Sequence, residues 1–427
     1  MTHISLMPHP PLLVPSVSQE ALRSVKKTKD AMETLAQRIK KREPRLIILS
    51  TPHAPAEAGR LAVYRGERLQ GNFRQFGSME TVEVFSDQAF QRTLMRTLSL
   101  YGINTVSVDE PLDHGALVPL KYLCDAGVGA PVIVIGQYYG DYAQNHRVGH
   151  ILRSLLYAEE TVGELIISGD LSHALKENGP MGYHPSGKVF DETLQKALKH
   201  QDLDVLKTLD DQVIVNAMSC IYRGIGMVEG LSANRFENTE VLSYEGPFGV
   251  GYLVGALKCA ENLSLPAIAR RSIESVFLND TFKALKPSGD HSDAPCFVTL
   301  KKDDQLRGCI GTLEPTGRTL TDNVITYAKH AAFDDPRFPP LRRSELCEIT
   351  ISVDIIHPPV ALRDFKTQDP KVDGLIAQKE GRQSVLLPGI EGIHTAQAQR
   401  QAVLKKGGFD SDADVVYYTF RVTRVEE

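Results

Sequence analysis

The sequence predicts an α/β domain, with a mainly parallel sheet flanked by helices, followed by a smaller α+β domain. Up to about residue 260, short apolar runs alternate with longer segments whose apolar residues recur at helical intervals. After residue 267, apolar strands follow one another without regular intervening helices. The chain of 427 residues is also longer than one ordinary domain. We therefore predict domains at 1–262 and 267–427, separated by a short polar and proline-containing segment.

The first βαβ unit sets the direction of the sheet. An apolar N-terminal strand precedes a helical pattern at 19–42, Pro44 ends that helix, and a buried strand follows at 45–50. Such a unit is most simply a right-handed parallel crossover. Residues 61–85 carry short alternating strands and predict an excursion at the sheet edge. The remaining predicted strands are 103–108, 131–136, 163–168 and 239–244. Helices are predicted at 87–101, 143–157, 187–200, 203–209, 212–223 and from about 247 to 260, and the segment 109–123 runs from a polar turn into an apolar helix.

The second domain is predicted to open with a helix and to continue mainly as strands. Its elements are a helix at 267–285, a polar loop at 286–293, a strand at 296–302, a helix at 319–332, a strand at 348–356, a mixed stretch at 360–389 and a final strand at 415–425.

The composition is that of a soluble globular protein, with 42% hydrophobic and 24% charged residues. The formal net charge of −5 gives no reason to expect nucleic acid or an anionic membrane as a partner. No apolar run approaches the length of a membrane span, and no secretory signal is evident at the N-terminus. Six cysteines without a CxxC pair indicate reduced thiols, so we expect a cytoplasmic protein.

Two histidines lie in proline-braced turns at the ends of predicted strands. His9 lies in Pro-His-Pro-Pro after the first strand, and His53 lies in Thr-Pro-His-Ala-Pro after the second. Ligands of open α/β sheets bind at the carboxyl ends of the strands, so both imidazoles are predicted to approach one point. Two histidines and one carboxylate are typical of non-haem Fe(II) oxygenases. The alternative is that each turn is only a rigid loop whose histidine hydrogen-bonds to nearby backbone.

Glu245 is the predicted third ligand. It ends a strand and is followed by glycines that allow close backbone approach. The alternative role is a cap on the helix expected near Pro247. Glu240 and Glu229 are the next candidates.

Two further histidines follow strand-like runs. His173 closes Ser-Gly-Asp-Leu-Ser-His and is a candidate acid/base, because an imidazole can accept and return a proton near neutral pH. His114, in Asp-His-Gly, is a candidate donor to bound oxygen or to a substrate oxyanion. A helix-start histidine and a turn residue, respectively, are the structural alternatives. We interpret Asp113 and Asp170 as residues that orient ligands, and the other histidines of this region as structural: His3, His146, His150, His184 and His200.

These segments resemble the class III extradiol dioxygenase catalytic subunit (LigB-like) and its MEMO relatives. The resemblance covers about residues 1–260 through five motifs in order: Pro-His-Pro-Pro-Leu-Leu-Val-Pro, Thr-Pro-His-Ala-Pro, Leu-Asp-His-Gly-Ala-Leu-Val-Pro-Leu, Ser-Gly-Asp-Leu-Ser-His and Tyr-Glu-Gly-Pro-Phe-Gly-Val-Gly-Tyr. It implies an α/β fold with one Fe(II) held by His9, His53 and Glu245, with His173 as acid/base and His114 near bound oxygen. MEMO relatives often have cysteine as the third ligand, and Zn or Cu are the alternative ions in such a site. This sequence has Glu245 and no cysteine near the expected place, which favours the dioxygenase-like site.

The resemblance predicts an extradiol dioxygenase-like oxidoreductase that uses O2 and a catechol-like or related small molecule. Two alternatives remain open. One is a non-catalytic MEMO-like module that binds metal or a protein partner. The other is a metal-dependent hydrolase, because the same ligands can activate water.

The second domain resembles the AMMECR-type domain over about residues 267–427. Three motifs carry this resemblance: Leu-Arg-Gly-Cys-Ile-Gly-Thr from Leu306, Ala-Ala-Phe-Asp-Asp-Pro-Arg-Phe-Pro-Pro-Leu from Ala331, and Leu-Leu-Pro-Gly-Ile-Glu-Gly from Leu386. The family implies an α+β fold with no established activity. It commonly occurs beside MEMO-type and radical-SAM proteins, which implies a functional link to a radical-SAM protein. A homo-oligomer is compatible with the sequence.

Cys309 is the chemical candidate of the second domain. Arg307 nearby would lower the pKa of its thiol and activate it. The alternative is a small buried residue in a tight strand. Asp335, Arg337 and His394 are candidate polar groups of a pocket, and a salt-bridged turn explains the first two equally well.

Overall fold

The computed structural model describes residues 2–55, 57, 59–158, 162–260, 265–280, 293–314, 316 and 318–427. The chain divides into two compact units, Met1–Asn262 and Leu263–Glu427. No helix within the described ranges has the length and apolar character needed to cross a membrane. The predicted polar loop at 286–293 lies outside the described residues except for Asp293.

The first unit alternates strands and helices, as its apolar periodicity predicts. Its strands are β1 (Thr2–Met7), β2 (Leu46–Thr51), β3 (Leu61–Tyr64), β4 (Arg68–Asn72), β5 (Thr81–Phe85), β6 (Thr105–Val108), β7 (Val132–Gly136), β8 (Gly163–Ser168), β9 (Phe236–Glu245) and β10 (Tyr252–Cys259). Its helices are α1 (Gln19–Ser24), α2 (Lys26–Arg42), α3 (Gln88–Leu100), α4 (His114–Ala126), α5 (Tyr142–Ala158), α6 (Pro185–His200), α7 (Asp211–Ala217) and α8 (Tyr222–Ser232).

Eight of these strands form one mixed sheet in the order β6-β3-β7-β2-β8-β1-β10-β9. The central neighbours β7, β2, β8 and β1 are parallel, whereas β10 and β9 continue the sheet antiparallel. Strands β4 and β5 pair only with each other, in the predicted excursion. Helices α2 and α4 cover one face, where Leu35, Ile39 and Leu117 are buried. The α/β prediction is confirmed, with a mixed sheet.

The helix predicted from about 247 to 260 is wrong. This segment is β10, which pairs antiparallel with β1 from His3↔Lys258 to Leu6↔Gly255. A short apolar run with no polar face fits a buried strand as well as a buried helix, so its periodicity does not distinguish them.

Because β1, β8 and β2 are adjacent and parallel, their carboxyl ends meet at one edge of the sheet. His9 and His53 follow β1 and β2, and the segment from Gly169 to His173 follows β8. Helix α4 begins at the same edge with His114. Three strand ends and one helix start therefore supply the side chains of the candidate site.

The second unit is an α+β domain, as predicted. Its helices are α9 (Leu265–Phe277), α10 (Leu320–Phe333) and α11 (Ala396–Gly407), and its strands are β11 (Cys296–Lys302), β12 (Gln305–Gly311), β13 (Ile349–Ile356), β14 (Val360–Ala361), β15 (Asp373–Lys379), β16 (Arg382–Leu386) and β17 (Val416–Glu426). The sheet order is β12-β11-β13-β17-β15-β16, and β14 pairs with β17. All of these pairings are antiparallel. Leu375, Val403 and Phe409 are buried where α11 covers the sheet.

Candidate metal centre

Three histidines from separate parts of the chain meet at the carboxyl edge of the first sheet. The Nε2 atoms of His9 and His53 lie 3.1 Å apart. The ring centroid of His114 lies 4.2 Å from that of His53 and 5.5 Å from that of His9. Each of the three residues offers a ring nitrogen within 4.8 Å of the others. The structure thus brings together His9 and His53, and it adds His114 to the same group.

The surroundings of His9 fix its tautomer. Its ring is buried, and its Nδ1 lies 2.9 Å from the hydroxyl oxygen of Ser168. That hydroxyl donates its hydrogen to the carbonyl of Gly115, which can only accept. Ser168 must therefore accept a hydrogen from Nδ1, and the Nε2 lone pair of His9 is left facing the other histidines. A histidine ligand held in this way is oriented for a metal.

All three imidazoles are biased towards the neutral form that metals bind. Burial lowers the pKa of His9 and of His114. His53 is the exposed member, yet partial burial of its ring and the neighbouring His9 lower its pKa to about 4. Neutral imidazoles need no deprotonation before they bind an ion at neutral pH.

Asp113 holds the start of α4 against the end of β2. One of its carboxylate oxygens accepts hydrogen bonds from the Thr51 hydroxyl at 2.7 Å and from the Ala116 N–H at 3.2 Å. The other accepts from the Tyr64 hydroxyl at 2.8 Å. The predicted orienting role of Asp113 is consistent with these contacts, because they place His114 beside His53.

Gly115 allows this close approach. A Cβ atom at this position would lie 2.5 Å from the Thr51 hydroxyl oxygen and 3.2 Å from Cδ2 of His53. Any larger residue would therefore displace the first turn of α4 from the histidines.

A second group of candidate ligands shares His9. The Cys220 thiol lies 3.7 Å from Nε2 of His9 and accepts a hydrogen bond from the Asp170 N–H at 3.0 Å. His9, Asp170 and Cys220 each offer an atom within 4.8 Å of the others. Burial raises the pKa of Cys220, so its thiol is protonated unless a cation displaces the proton.

Asp170 connects the group to His173. One of its carboxylate oxygens accepts a hydrogen bond from the backbone N–H of His9 at 3.1 Å. The other oxygen lies 3.8 Å from Nε2 of His173. Burial alone would raise the pKa of Asp170, but His9 and His173 beside it bring that pKa below its ordinary value. The carboxylate is therefore ionised and can orient both rings, which is the role the sequence predicts for it.

The structure does not bring Glu245 to the histidines among the residues it describes. Strand β10 separates β9 from β1, and Glu245 accepts hydrogen bonds from the N–H and the hydroxyl of Thr28, both at 2.8 Å. Thr28 lies in the first turn of α2, so Glu245 caps α2 rather than the helix expected near Pro247. The predicted third ligand is corrected accordingly.

The next candidates for the third ligand, Glu240 and Glu229, also have other partners. Glu240 forms an exposed ion pair with Arg38 at 2.7 Å. Glu229 is buried and accepts from the Tyr142 hydroxyl at 2.8 Å, with Lys207 on its other oxygen. Neither belongs to a group of candidate ligands in the described part of the chain.

Sequence reasoning missed Cys220. It lies on the loop before α8, outside every quoted motif, and it reaches His9 only through a contact that spans 211 residues of sequence. The one signal in the sequence is the cysteine that MEMO relatives carry, and the resemblance implies a place for it near Glu245 rather than at position 220.

The donor set fits a transition-metal ion. Three neutral imidazoles whose ring nitrogens lie within 4.8 Å of one another suit iron, zinc or copper, and a thiol suits zinc or copper(I). His184, by contrast, accepts a hydrogen bond from the Ser186 N–H and caps α6, in agreement with its structural interpretation.

Cys309 in the second domain lacks the predicted activation. Arg307 forms a two-pronged ion pair with Glu345 at 2.9 and 3.0 Å. Burial raises the pKa of Cys309, even though Thr299 and Arg337 act in the other direction. These contacts favour the interpretation of Cys309 as a small buried residue over its interpretation as an activated thiol.

The other predicted polar groups of this domain form a turn. Arg337 makes paired contacts of 2.9 and 2.7 Å with the Asp335 carboxylate, which in turn accepts from the Cys309 N–H at 2.9 Å. This is the salt-bridged turn named as the alternative. His394 is exposed.

Residues 3–255 match the family model described as the catalytic LigB subunit of aromatic ring-opening dioxygenase, and residues 266–425 match the AMMECR1 model. A protein of Clostridium acetobutylicum is 31% identical over 476 aligned residues, covering 99% of this chain and 98% of that relative. A protein of Thermotoga maritima is 47% identical over 133 residues, covering 31% of this chain and 76% of that relative.

Two solved structures resemble parts of the chain. An uncharacterised protein of Pyrococcus horikoshii is 28% identical with a TM-score of 0.34, covering 38% of this chain and 89% of that one. An uncharacterised protein of Escherichia coli K12 is 15% identical with a TM-score of 0.44, covering 60% of this chain and 99% of that one. On the evidence of the family models and the full-length relative, this chain belongs to the LigB family and joins its LigB domain to an AMMECR1 domain.

Proposed function

We propose that the LigB domain is an extradiol dioxygenase-like oxidoreductase that holds one Fe(II) ion and uses O2 on a catechol-like small molecule. The observation that carries this proposal is the convergence of His9, His53 and His114, whose ring nitrogens lie within 4.8 Å of one another. We assign all three as ligands. His114 thereby takes a different role from the oxygen-side donor that the sequence predicts.

When bound, such an ion supplies a Lewis acid and a redox centre for O2. The contribution of the chain is to hold three imidazoles in place before binding. Ser168 and Gly115 fix the tautomer of His9, and Asp113 fixes the start of α4. Preorganisation of this kind removes the cost of ordering the ligands at the moment of reaction.

His173 is the proposed acid/base. Its side chain is 21% exposed, and ionised Asp170, which also accepts from the backbone N–H of His9, lies 3.8 Å from its Nε2. The carboxylate stabilises the imidazolium that forms when His173 takes a phenol proton, and the ring can return that proton to the product. In the absence of Asp170, the protonated ring would lose its counter-charge.

An apolar ring borders this group. Phe76 meets His114 edge to face, with ring centroids 5.6 Å apart. An aromatic substrate bound beside these rings would be stabilised by the same edge-to-face contacts. This observation supports a catechol-like substrate over a purely polar one.

A MEMO-like metal-binding module is the second candidate. The observation that favours it is the 3.7 Å distance between the Cys220 thiol and Nε2 of His9. In that arrangement His9, Asp170 and Cys220 supply the ligands, and copper or zinc replaces iron, because a thiolate is a soft ligand.

The test begins with protein purified without oxygen, loaded separately with Fe(II), Zn(II) or Cu(I), and analysed for bound metal. The Fe(II) form is then mixed with O2 and a panel of catechols while O2 uptake is recorded. We expect one Fe(II) per chain and catechol-dependent O2 uptake, both abolished by His53→Ala and retained by His200→Ala, which removes an exposed histidine at the end of α6. Stoichiometric Fe(II) without O2 uptake on any catechol would contradict the proposed activity.

The link to a radical-SAM protein and the homo-oligomeric state stay predictions of the sequence.

A further inference from the structure

Hydrogen bonds fix the backbone on both sides of Ser172, the residue before His173. The Ser172 N–H donates to one carboxylate oxygen of Asp191 at 2.8 Å. The Ser172 carbonyl accepts from the Gly251 N–H at 2.8 Å. The His173 N–H donates to the Ala217 carbonyl at 3.1 Å. Both peptide groups that lead into His173 are therefore held, and with them the direction in which its side chain leaves the backbone.

Asp191 is the one of these three partners that acts through a side chain. It lies on α6, is 1% exposed, and its second oxygen accepts from the Tyr244 hydroxyl at 2.6 Å. Burial raises the pKa of Asp191 to about 6, so at pH 7 the carboxyl is ionised and accepts with both oxygens. A charge buried in this way costs stability, and the two hydrogen bonds offset that cost only in part.

Two glycines allow α6 and the turn before β10 to approach this segment. A Cβ atom at Gly251 would clash with a carboxylate oxygen of Asp191 and would lie 2.9 Å from Cβ of Leu171. A Cβ atom at Gly187, in the first turn of α6, would clash with the Ser172 hydroxyl oxygen. The motif that contains Gly251 thus packs against the segment that carries His173.

We propose that Asp191 is a positioning residue for His173 and acts through the Ser172 N–H, a role that rests on the proposed function of His173 as acid/base. His173 has to present a ring nitrogen to the substrate while ionised Asp170 lies 3.8 Å from its Nε2. The backbone before the residue sets the range of positions in which the ring meets both requirements. Without the Asp191 acceptor the Ser172 N–H is buried and unpaired, and the segment shifts to give it another partner.

Three variants separate positioning from packing. Asp191→Ala removes the acceptor of the Ser172 N–H. Asp191→Asn keeps an acceptor of the same size and is the conservative rescue. Tyr244→Phe removes the other hydrogen bond of the Asp191 carboxylate, keeps the contact with Ser172 and is the matched control. Thermal unfolding establishes that each variant is folded, and Asp191→Leu, which also lacks an acceptor, replaces Asp191→Ala if that protein does not fold.

The first measurement does not depend on turnover. Long-range ¹H–¹⁵N spectra of the full chain, recorded at pH 7 without added metal, report the two ring nitrogens of His173, which are assigned by their loss in His173→Gln. We expect Asp191→Ala to move these resonances, because the ring leaves its place beside Asp170. We expect Asp191→Asn and Tyr244→Phe to leave them unchanged.

The second measurement is catechol-dependent O2 uptake by the Fe(II) form. We expect Asp191→Ala to lower kcat about ten- to a hundredfold, because a displaced acid/base transfers the proton poorly. KM is expected to change less than about threefold and bound Fe(II) to stay the same, since Asp191 acts on the proton-transfer step. Asp191→Asn is expected to retain kcat within about threefold of the wild type.

Unchanged His173 resonances in the Asp191→Ala protein would overturn the proposal, whether or not any catechol is turned over. An equal change in Tyr244→Phe would overturn it as well, because a general loss of packing would then explain the effect. Loss of kcat in Asp191→Asn equal to that in Asp191→Ala would do the same. If the resonances move as expected but the wild type consumes no O2 with any catechol, the control of His173 by Asp191 is supported and the proposed oxidoreductase activity is contradicted.

Discussion

The Nε2 atoms of His9 and His53 lie 3.1 Å apart although 44 residues of sequence separate them. Two nitrogens at this distance either share one hydrogen or face one cation. Because the Nδ1 hydrogen of His9 is directed to Ser168, the pair is arranged so that the Nε2 lone pair of His9 remains available. This relationship makes Ser168 the first residue to test.

We expect Ser168→Ala to weaken metal binding by about ten- to a hundredfold, because removal of an outer hydrogen-bond partner releases the ligand ring and its tautomer. Anaerobic Fe(II) titration of the wild type and the variant measures the change. Ser50→Ala is the matched control: Ser50 is a buried serine of β2 whose hydroxyl has no partner among the described residues. Equal loss of affinity in both variants would indicate a general packing effect and contradict the orienting role of Ser168.

The identity of the third ligand separates the two candidate functions. We expect His114→Gln to lower Fe(II) affinity at least about tenfold and Cys220→Ser to change it little, because His114 belongs to the group that contains both His9 and His53. The same Fe(II) titration reports both values. A larger loss of Fe(II) affinity in Cys220→Ser than in His114→Gln would assign the site to the MEMO-like arrangement. A sulfur-to-metal charge-transfer band in Co(II)-loaded protein, lost in Cys220→Ser and kept in Cys259→Ser, would confirm that reversal.

The contrast between these residues shows what the sequence can and cannot predict. Prolines around His9 and His53 and the apolar runs before them are local signals, and they correctly place both residues at the ends of parallel strands. The position of Cys220 depends on a tertiary contact across 211 residues, which no local pattern encodes. The prediction of Glu245 as a ligand depends on its position at the end of a strand, but strand order decides which strand ends are neighbours.

The same limitation applies to the fold. Much of the alternation up to β8 follows from periodicity, because helices such as α2, α3 and α6 alternate buried and exposed residues at helical intervals and the central strands β2, β7 and β8 are short, fully buried runs bounded by polar segments. β10 has no polar face, and its state is decided by the free edge of β1 with which it pairs. A local propensity argument contains no information about that edge.

Glu245 is expected to stabilise the fold without affecting the metal. Glu245→Gln weakens the contacts to the Thr28 N–H and hydroxyl and removes a negative charge from the N-terminus of α2, so we expect a loss of about 1 kcal/mol in the free energy of unfolding. Urea denaturation and Fe(II) titration give the two quantities. Glu240→Gln, which removes an exposed ion pair with Arg38, is expected to cost less than about 0.5 kcal/mol. Loss of bound Fe(II) in the Glu245→Gln protein would restore Glu245 as a ligand.

The buried carboxyl of Asp191 predicts a pH dependence of stability. Burial raises its pKa to about 6, although hydrogen bonds from the Tyr244 hydroxyl at 2.6 Å and the Ser172 N–H at 2.8 Å act in the other direction. The native state therefore binds the proton more tightly than the unfolded state, whose carboxyl has the ordinary model value of 3.8. Well below pH 3.8 the carboxyl is protonated in both states. As the pH rises from 4 to 6, the carboxyl ionises in the unfolded state before it ionises in the native state. The free energy of unfolding therefore falls progressively, by up to about 2–3 kcal/mol.

Asp191→Asn removes this titration while keeping an acceptor for the Ser172 N–H and gaining a donor towards Tyr244. We expect its free energy of unfolding, relative to wild type, to rise by about 2 kcal/mol between pH 4.5 and pH 7.5, as measured by urea denaturation followed by circular dichroism. Glu192→Gln, one residue along α6 in an exposed pair with Lys188, is the control and is expected to show no such change. A pH-independent difference between Asp191→Asn and wild type would mean that the carboxyl is ionised throughout this range. In that case Ser172 and Tyr244 would have to offset its burial completely.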